Sequence, residues 1–175
     1  MNKFAHIKPI AQYARVSYYS IVLEEDDAVS LFEKFVIEQD RAERKKLNHI
    51  LRWIKIIGEK YGAQIHHFRP EAKFADASAL PPKGKTREPA YIENGKKANN
   101  MLRLYTFRVN ESVVFLFNGG LKTTKYAQDC PNVAPCFHLA NQLTAALQKA
   151  LEEKEIRWNE DFTQIDYDSD FEIQY

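Results

Sequence analysis

The chain has 175 residues, of which 45% are hydrophobic, 28% charged and 13% aromatic, with a formal net charge of +1. This length and balance suit a single domain spanning 1–175 with one well-buried core, and they exclude wholesale disorder. The longest uninterrupted apolar run is Val113–Phe117 and the first residues hold no apolar leader, so neither a membrane-spanning helix nor a secretory signal is expected and the protein is expected to be cytoplasmic.

In chain order, residues 14–23 (ARVSYYSIVL) are rich in β-branched and aromatic side chains and predict a first strand. Asp26 and Asp27 precede an apolar stripe at Leu31, Phe32, Phe35 and Val36, which predicts a helix over 26–38 with acids at its positive end. Asp40 and Glu43 then resemble a capping box, and Leu47, Ile50, Leu51, Ile54, Ile57 and Tyr61 recur at helical spacing until Gly62. The short connection predicts a helical hairpin laid on one face of a sheet. Prolines and glycines interrupt 70–100 together with Lys83, Lys85, Arg87, Lys96 and Lys97, which reads as a basic loop with a short strand near 73–79.

Residues 101–109 (MLRLYTFRV) and 112–117 (SVVFLF) flank Asn110-Glu111 and predict a central antiparallel hairpin that ends at Asn118-Gly119-Gly120. Alternation places Arg103, Tyr105 and Phe107 on one face and Leu102, Leu104, Thr106 and Arg108 on the other, so the two arginines cannot share a face without a bulge. Pro135 suits the first turn of a helix running to about Glu153. Phe171, Ile173 and Tyr175 alternate with polar residues and suit an edge strand. The fold class expected is therefore α+β: an antiparallel sheet packed against an N-terminal helical hairpin, with an extra C-terminal helix and a tail.

The near-neutral total hides an asymmetry. Residues 152–175 hold nine acids against Lys154 and Arg157, a net of −7, so the other residues carry +8. Residues 60–125 hold twelve Lys/Arg against five Asp/Glu. Such an excess reads either as loop lysines kept for solubility or as a footprint for a polyanion. Cys130 and Cys136 are too few for a disulfide scaffold and read as free thiols. With His138 they make no recognised zinc spacing, and no glycine-rich phosphate loop, G-x-S-x-G or H-E-x-x-H is present, so neither a metal nor a cofactor is expected.

Over about 14–151, the order of elements, with Leu102-Arg103-Leu104-Tyr105 in a strand and Gly120-Leu121-Lys122-Thr123-Thr124-Lys125 after it, resembles the RelE/ParE superfamily of bacterial toxins, nearest its HigB-like members. Residues 68–80 (FRPEAKFADASAL) resemble the segment before that family's arginine strand, whereas the acidic extension 155–175 lies outside the pattern. The resemblance implies a RelE/ParE-like fold and the toxin of a type II toxin–antitoxin system, a metal-independent endoribonuclease acting on mRNA, with the ribosome as one place of action, and held in check by a cognate antitoxin. Cleavage would proceed by attack of a ribose 2′-hydroxyl on the adjacent phosphate. That chemistry needs cations for the phosphorane-like charge and a group to move protons. The residues matching these roles are Lys122, Lys125, Arg108, Arg103 and Tyr126, with His66, His67, Arg69, Lys73, Lys83 and Lys85 as RNA-binding candidates. The family's late catalytic Tyr/His positions have no match, so the alternative is a catalytically inactive RelE-fold module that binds nucleic acid or protein.

Overall fold

Strands that are apolar on both faces need cover on both sides. Residues 102–107 and 113–117 are all buried, and each face of their sheet carries its own helices. The computed structural model describes residues 1–71 and 76–175.

The strands are β1 (Phe4–Gln12), β2 (Ser17–Leu23), β3 (Arg69–Pro70), β4 (Ser78–Leu80), β5 (Ile92–Glu93), β6 (Lys96–Lys97), β7 (Leu102–Arg108), β8 (Val113–Leu121), β9 (Ile156–Trp158), β10 (Ile165–Tyr167) and β11 (Ile173–Gln174). The helices are α1 (Leu31–Ala42), α2 (Arg44–Ile56) and α3 (Ala134–Glu152). Seven strands form one sheet in the order β11-β1-β2-β8-β7-β4-β3, while β5–β6 and β9–β10 are separate two-stranded ribbons. Within the large sheet β2 and β8 run parallel and the other neighbours antiparallel. The protein is thus α+β with a mixed sheet, which corrects the wholly antiparallel sheet expected from sequence. Hairpin and loop signals report only local pairs, and β2 meets a strand almost a hundred residues away.

One face buries Tyr18, Leu102, Leu104, Val114 and Leu116 against Phe35 of α1 and Leu47, Ile50 and Trp53 of α2. Tyr18 also donates its hydroxyl to the Ile54 carbonyl at 2.7 Å. The opposite face buries Ile7, Ile21, Tyr105, Phe107, Phe115 and Phe117 against Phe137, Leu143 and Leu147 of α3.

Several local expectations shift. The strand expected at 14–23 is present as β2 (Ser17–Leu23) but is the second one, because β1 precedes it over Phe4–Gln12, with Pro9 beside a register shift that tolerates its missing amide. The first helix starts at Leu31: Ser30 Oγ accepts from the Glu33 amide at 3.1 Å while Glu33 returns a carboxylate to the Ser30 amide at 2.7 Å. Asp40 caps nothing; it lies inside α1 and pairs with Arg44 at 3.1 Å. Asn118-Gly119-Gly120 does not end the hairpin, because β8 continues to Leu121. Gly119 is needed there for a different reason, since a Cβ would fall 1.8 Å from the Arg103 carbonyl oxygen beside the β7–β8 register shift. The predicted loop 70–100 contributes β3 and β4 to the large sheet and folds β5–β6 around Asn94-Gly95, whose positive φ values suit a two-residue hairpin turn. The predicted strand at 73–79 lies partly outside the described residues, and β4 is placed at Ser78–Leu80. At the C-terminus β11 pairs with β1, at the sheet edge opposite β3 and β4. No helix among the described residues is long and apolar enough to cross a membrane.

Candidate functional site

The strand cations expected to face a phosphate are instead turned inward. Glu71, whose side chain is fully buried, sits between Arg103 Nε at 2.9 Å and Lys122 Nζ at 2.6 Å, both nearly buried themselves. The lysine donates a hydrogen bond to Oε2, whereas the arginine Nε contact is an ion pair out of hydrogen-bond alignment. Arg103 also donates Nη1 to the carbonyls of Asn100 (2.6 Å) and Leu102 (3.1 Å). Burial lowers the Arg103 guanidinium and Glu71 opposes it; burial followed by Arg103 lowers Arg69 to about 10, so Arg69 remains cationic at neutral pH. Arg69 is half-buried, with Nη2 on the Pro82 carbonyl at 3.2 Å. The Tyr105 hydroxyl is buried nearby, and desolvation followed by the Glu71 charge raises it, so it is no proton carrier at neutral pH.

Arg108 is spent elsewhere, donating Nε to the Ala63 carbonyl. Lys125 and Tyr126 are exposed on the loop before α3, with the ammonium 5.3 Å from the phenol ring. Lys83 and Lys85 are exposed between Pro82 and Arg87, and Lys73 lies outside the described residues. The expected catalytic set therefore divides: Arg103 and Lys122 form one buried ion cluster, while Arg108, Lys125 and Tyr126 make their contacts elsewhere.

A different constellation forms where α2 ends. Its last turn widens into a single π-turn over Ile57–Tyr61, closed by Gly62 at φ +73°, a backbone setting that favours glycine. A short 3₁₀ turn at Ile65–His67 follows. Tyr61 stacks on His67 with centroids 5.2 Å apart and planes at 21°, and the His66 ring lies 4.1 Å from that of His67. Arg87, brought back by the 81–100 loop, holds the pair. It donates Nη1 to the His66 carbonyl and Nη2 to His67 Nδ1, both at 2.8 Å, with its guanidinium 5.4 Å from the Trp53 ring. His67 Nδ1 accepts from a cation, so its ring is neutral; burial first, then His66 and Arg87, lower it to about 4. These side chains and Lys60 line an open depression of about 580 Å³. Among the described residues the one carboxylate on its rim is Glu88, which is paired with Lys97 at 2.9 Å. His66 is exposed and His67 buried, so a single imidazole is available to a ligand.

No family model, curated protein or solved structure matches the chain. What the site can do is therefore read from its own groups: aromatic and imidazole faces for stacking, Arg87 and Lys60 for an anion, and His66 for proton transfer. Among the described residues no three His, Cys, Asp or Glu side chains are placed to hold a metal ion.

Of the sequence candidates, His66 and His67 belong to this constellation. Trp53, Tyr61, Lys60 and Arg87 were missed as site residues. Tyr61 reads as the last member of a core stripe, and Arg87 is one more loop cation until the loop is folded. Glu71 was missed too, because its partners Arg103 and Lys122 lie more than 30 residues away in the sequence. His49 is buried on α2, with Nε2 2.9 Å from the Pro89 carbonyl oxygen and Nδ1 2.9 Å from the Asn100 side-chain nitrogen.

Proposed function

We propose that the chain is an RNA-targeting protein of the RelE/HigB-like kind, the metal-independent endoribonuclease of a toxin–antitoxin pair acting on mRNA in the cytoplasm. Its RNA would meet the depression at the end of α2. The observation that carries this reading is the convergence of Tyr61, His66, Lys60 and Arg87 on one open surface with a single, already paired, carboxylate. Bases stack on aromatic platforms regardless of sequence, and a guanidinium and an ammonium attract the backbone. In the cleavage step the ribose 2′-oxygen bonds to phosphorus as its proton leaves, and the 5′-oxygen departs and takes up a proton. His66 is the group placed to move a proton, and Arg87 and Lys60 stabilise the charge on the phosphoryl oxygens.

A second reading, a binding module without cleavage, is favoured by one observation: Arg103 and Lys122, which the resemblance assigns to the phosphate, are both drawn inward onto buried Glu71. One experiment separates the two. A labelled eight-nucleotide RNA is titrated with the chain at low salt and followed for cleavage on a gel, with growth on expression as the cellular readout. Tyr61→Ala is expected to weaken binding by about 1–3 kcal/mol. Loss of Arg87 should flatten the salt dependence by roughly one counterion. His66→Ala should slow cleavage about 10²–10⁴-fold with binding retained. Binding without cleavage selects the module; no binding by the unmodified chain at low salt refutes both.

A further inference from the structure

Two features at different places on the chain fit one another and neither is used by the proposed RNA site. The first is a depression of about 630 Å³ on the outer side of α2, floored by Leu51, Tyr91 and Ile92 and rimmed by Lys45, Arg52 and Lys55. Ile92 is 48% exposed, and among the described residues no carboxylate lines the depression. It shares no residue with the site at Tyr61 and His66.

The second is the tip of the β9–β10 hairpin. Phe162 there is 57% exposed, and Glu160 and Asp161 beside it are exposed as well. A bulky residue in the left-handed region is unusual, yet Phe162 sits at φ +60°. The loop is built to keep it there. Asn159 Oδ1 accepts from the amides of Thr163 and Gln164 at 2.9 and 3.0 Å, and Asn110 donates to the Phe162 carbonyl at 2.9 Å. The ring lies 5.9 Å from that of Trp158 yet stays more than half exposed, and a strained, braced backbone that keeps so much aromatic surface in water is a feature that asks for a function. The hairpin backs onto Tyr19, in the core on the α3 side of the sheet, whereas the depression lies on α2, packed on the other face, and Glu160, Asp161 and Phe162 do not line it.

We propose that the Glu160-Asp161-Phe162 tip of one copy seats in the Leu51–Tyr91–Ile92 depression of a second copy. The ring supplies the apolar plug, and the two carboxylates meet Lys45, Arg52 and Lys55. The contact is heterologous: the copy that gives its tip keeps its depression free and the copy that receives it keeps its tip free, so association continues head to tail. The patch is small, and the assembly is correspondingly weak and concentration-dependent.

The test is sedimentation of the full chain from ~10 µM to ~1 mM, the span of weak contacts. The weight-average mass should rise with concentration at low salt and fall back at 1 M salt, where screening acts within about 3 Å. Phe162→Asp and Arg52→Glu, both surface changes whose folding circular dichroism checks, should each abolish the rise. Mixed together, they should form dimers that stop at two chains, because one variant lacks the tip and the other the seat. A chain that stays monomeric throughout, a rise untouched by Phe162→Asp, or a mixture that forms no dimer overturns the proposal and leaves the depression to another partner.

Discussion

Glu71→Gln preserves the shape of the residue that joins Arg103 to Lys122 and deletes its charge. Arg103 retains two carbonyl acceptors, but no other hydrogen-bond acceptor of Lys122 is present among the described residues, and the lysine side chain is only 10% exposed. Removing one member of a buried ion set typically costs about 3–5 kcal/mol, because a charge is left behind without its partner. The carbonyls around Arg103 place this case near the lower figure. For a chain of this length each kcal/mol moves the melting temperature by about 2–4 °C, so a drop of at least ~6 °C is expected. Urea unfolding followed by circular dichroism measures the free energy directly. Asp40→Asn, which breaks the exposed pair with Arg44, serves as the comparison and should stay within about 0.5 kcal/mol. Replacing Glu71, Arg103 and Lys122 together by Leu, Met and Met should recover much of the loss. If Glu71→Gln costs no more than Asp40→Asn, Glu71 does not lock these cations inward.

Gly119→Ala should cost more than ~3 kcal/mol or prevent folding, since the added methyl meets the Arg103 backbone rather than a yielding side chain; expression and circular dichroism decide. Ser30→Ala removes the hydroxyl that caps α1 and should cost about 1 kcal/mol in a urea titration. His67 is neutral when folded, with its proton affinity lowered to about 4, so the unfolded chain takes up the extra proton. Stability should fall as pH drops from about 6.5 towards 4, and the melting curve of His67→Phe should lack that component.

Periodicity made the core elements legible. The stripe from Leu47 to Ile57 and the strands around Leu104 and Phe115 are written at spacings that few other structures satisfy. β1 escaped because Lys8 and Pro9 interrupt a modest alternation, and its strand character comes from pairing with β2 on one side and β11 on the other. The site was half legible. Adjacent histidines after a helix end are visible in the sequence, but their partner Arg87 arrives through a loop whose path is set by tertiary packing. The inward turn of Arg103 and Lys122 was hidden for a similar reason: it depends on β3 and β4 carrying Glu71 to the edge of β7.

The parallel pairing of β2 with β8 also has a consequence for the order in which the chain is made. About 90 residues separate the end of β2 from the start of β8, and at typical synthesis rates of ~5–20 residues per second the partner emerges roughly 5–20 s later. Through that interval the β1–β2 ribbon has an open edge and displays Tyr18, Tyr19 and Ile21, which the finished molecule buries on its two faces. Such an edge invites other chains to add to it. A ribosome-bound fragment ending before Val113 should therefore be the aggregation-prone, chaperone-dependent species, and extension through Leu121 should relieve it.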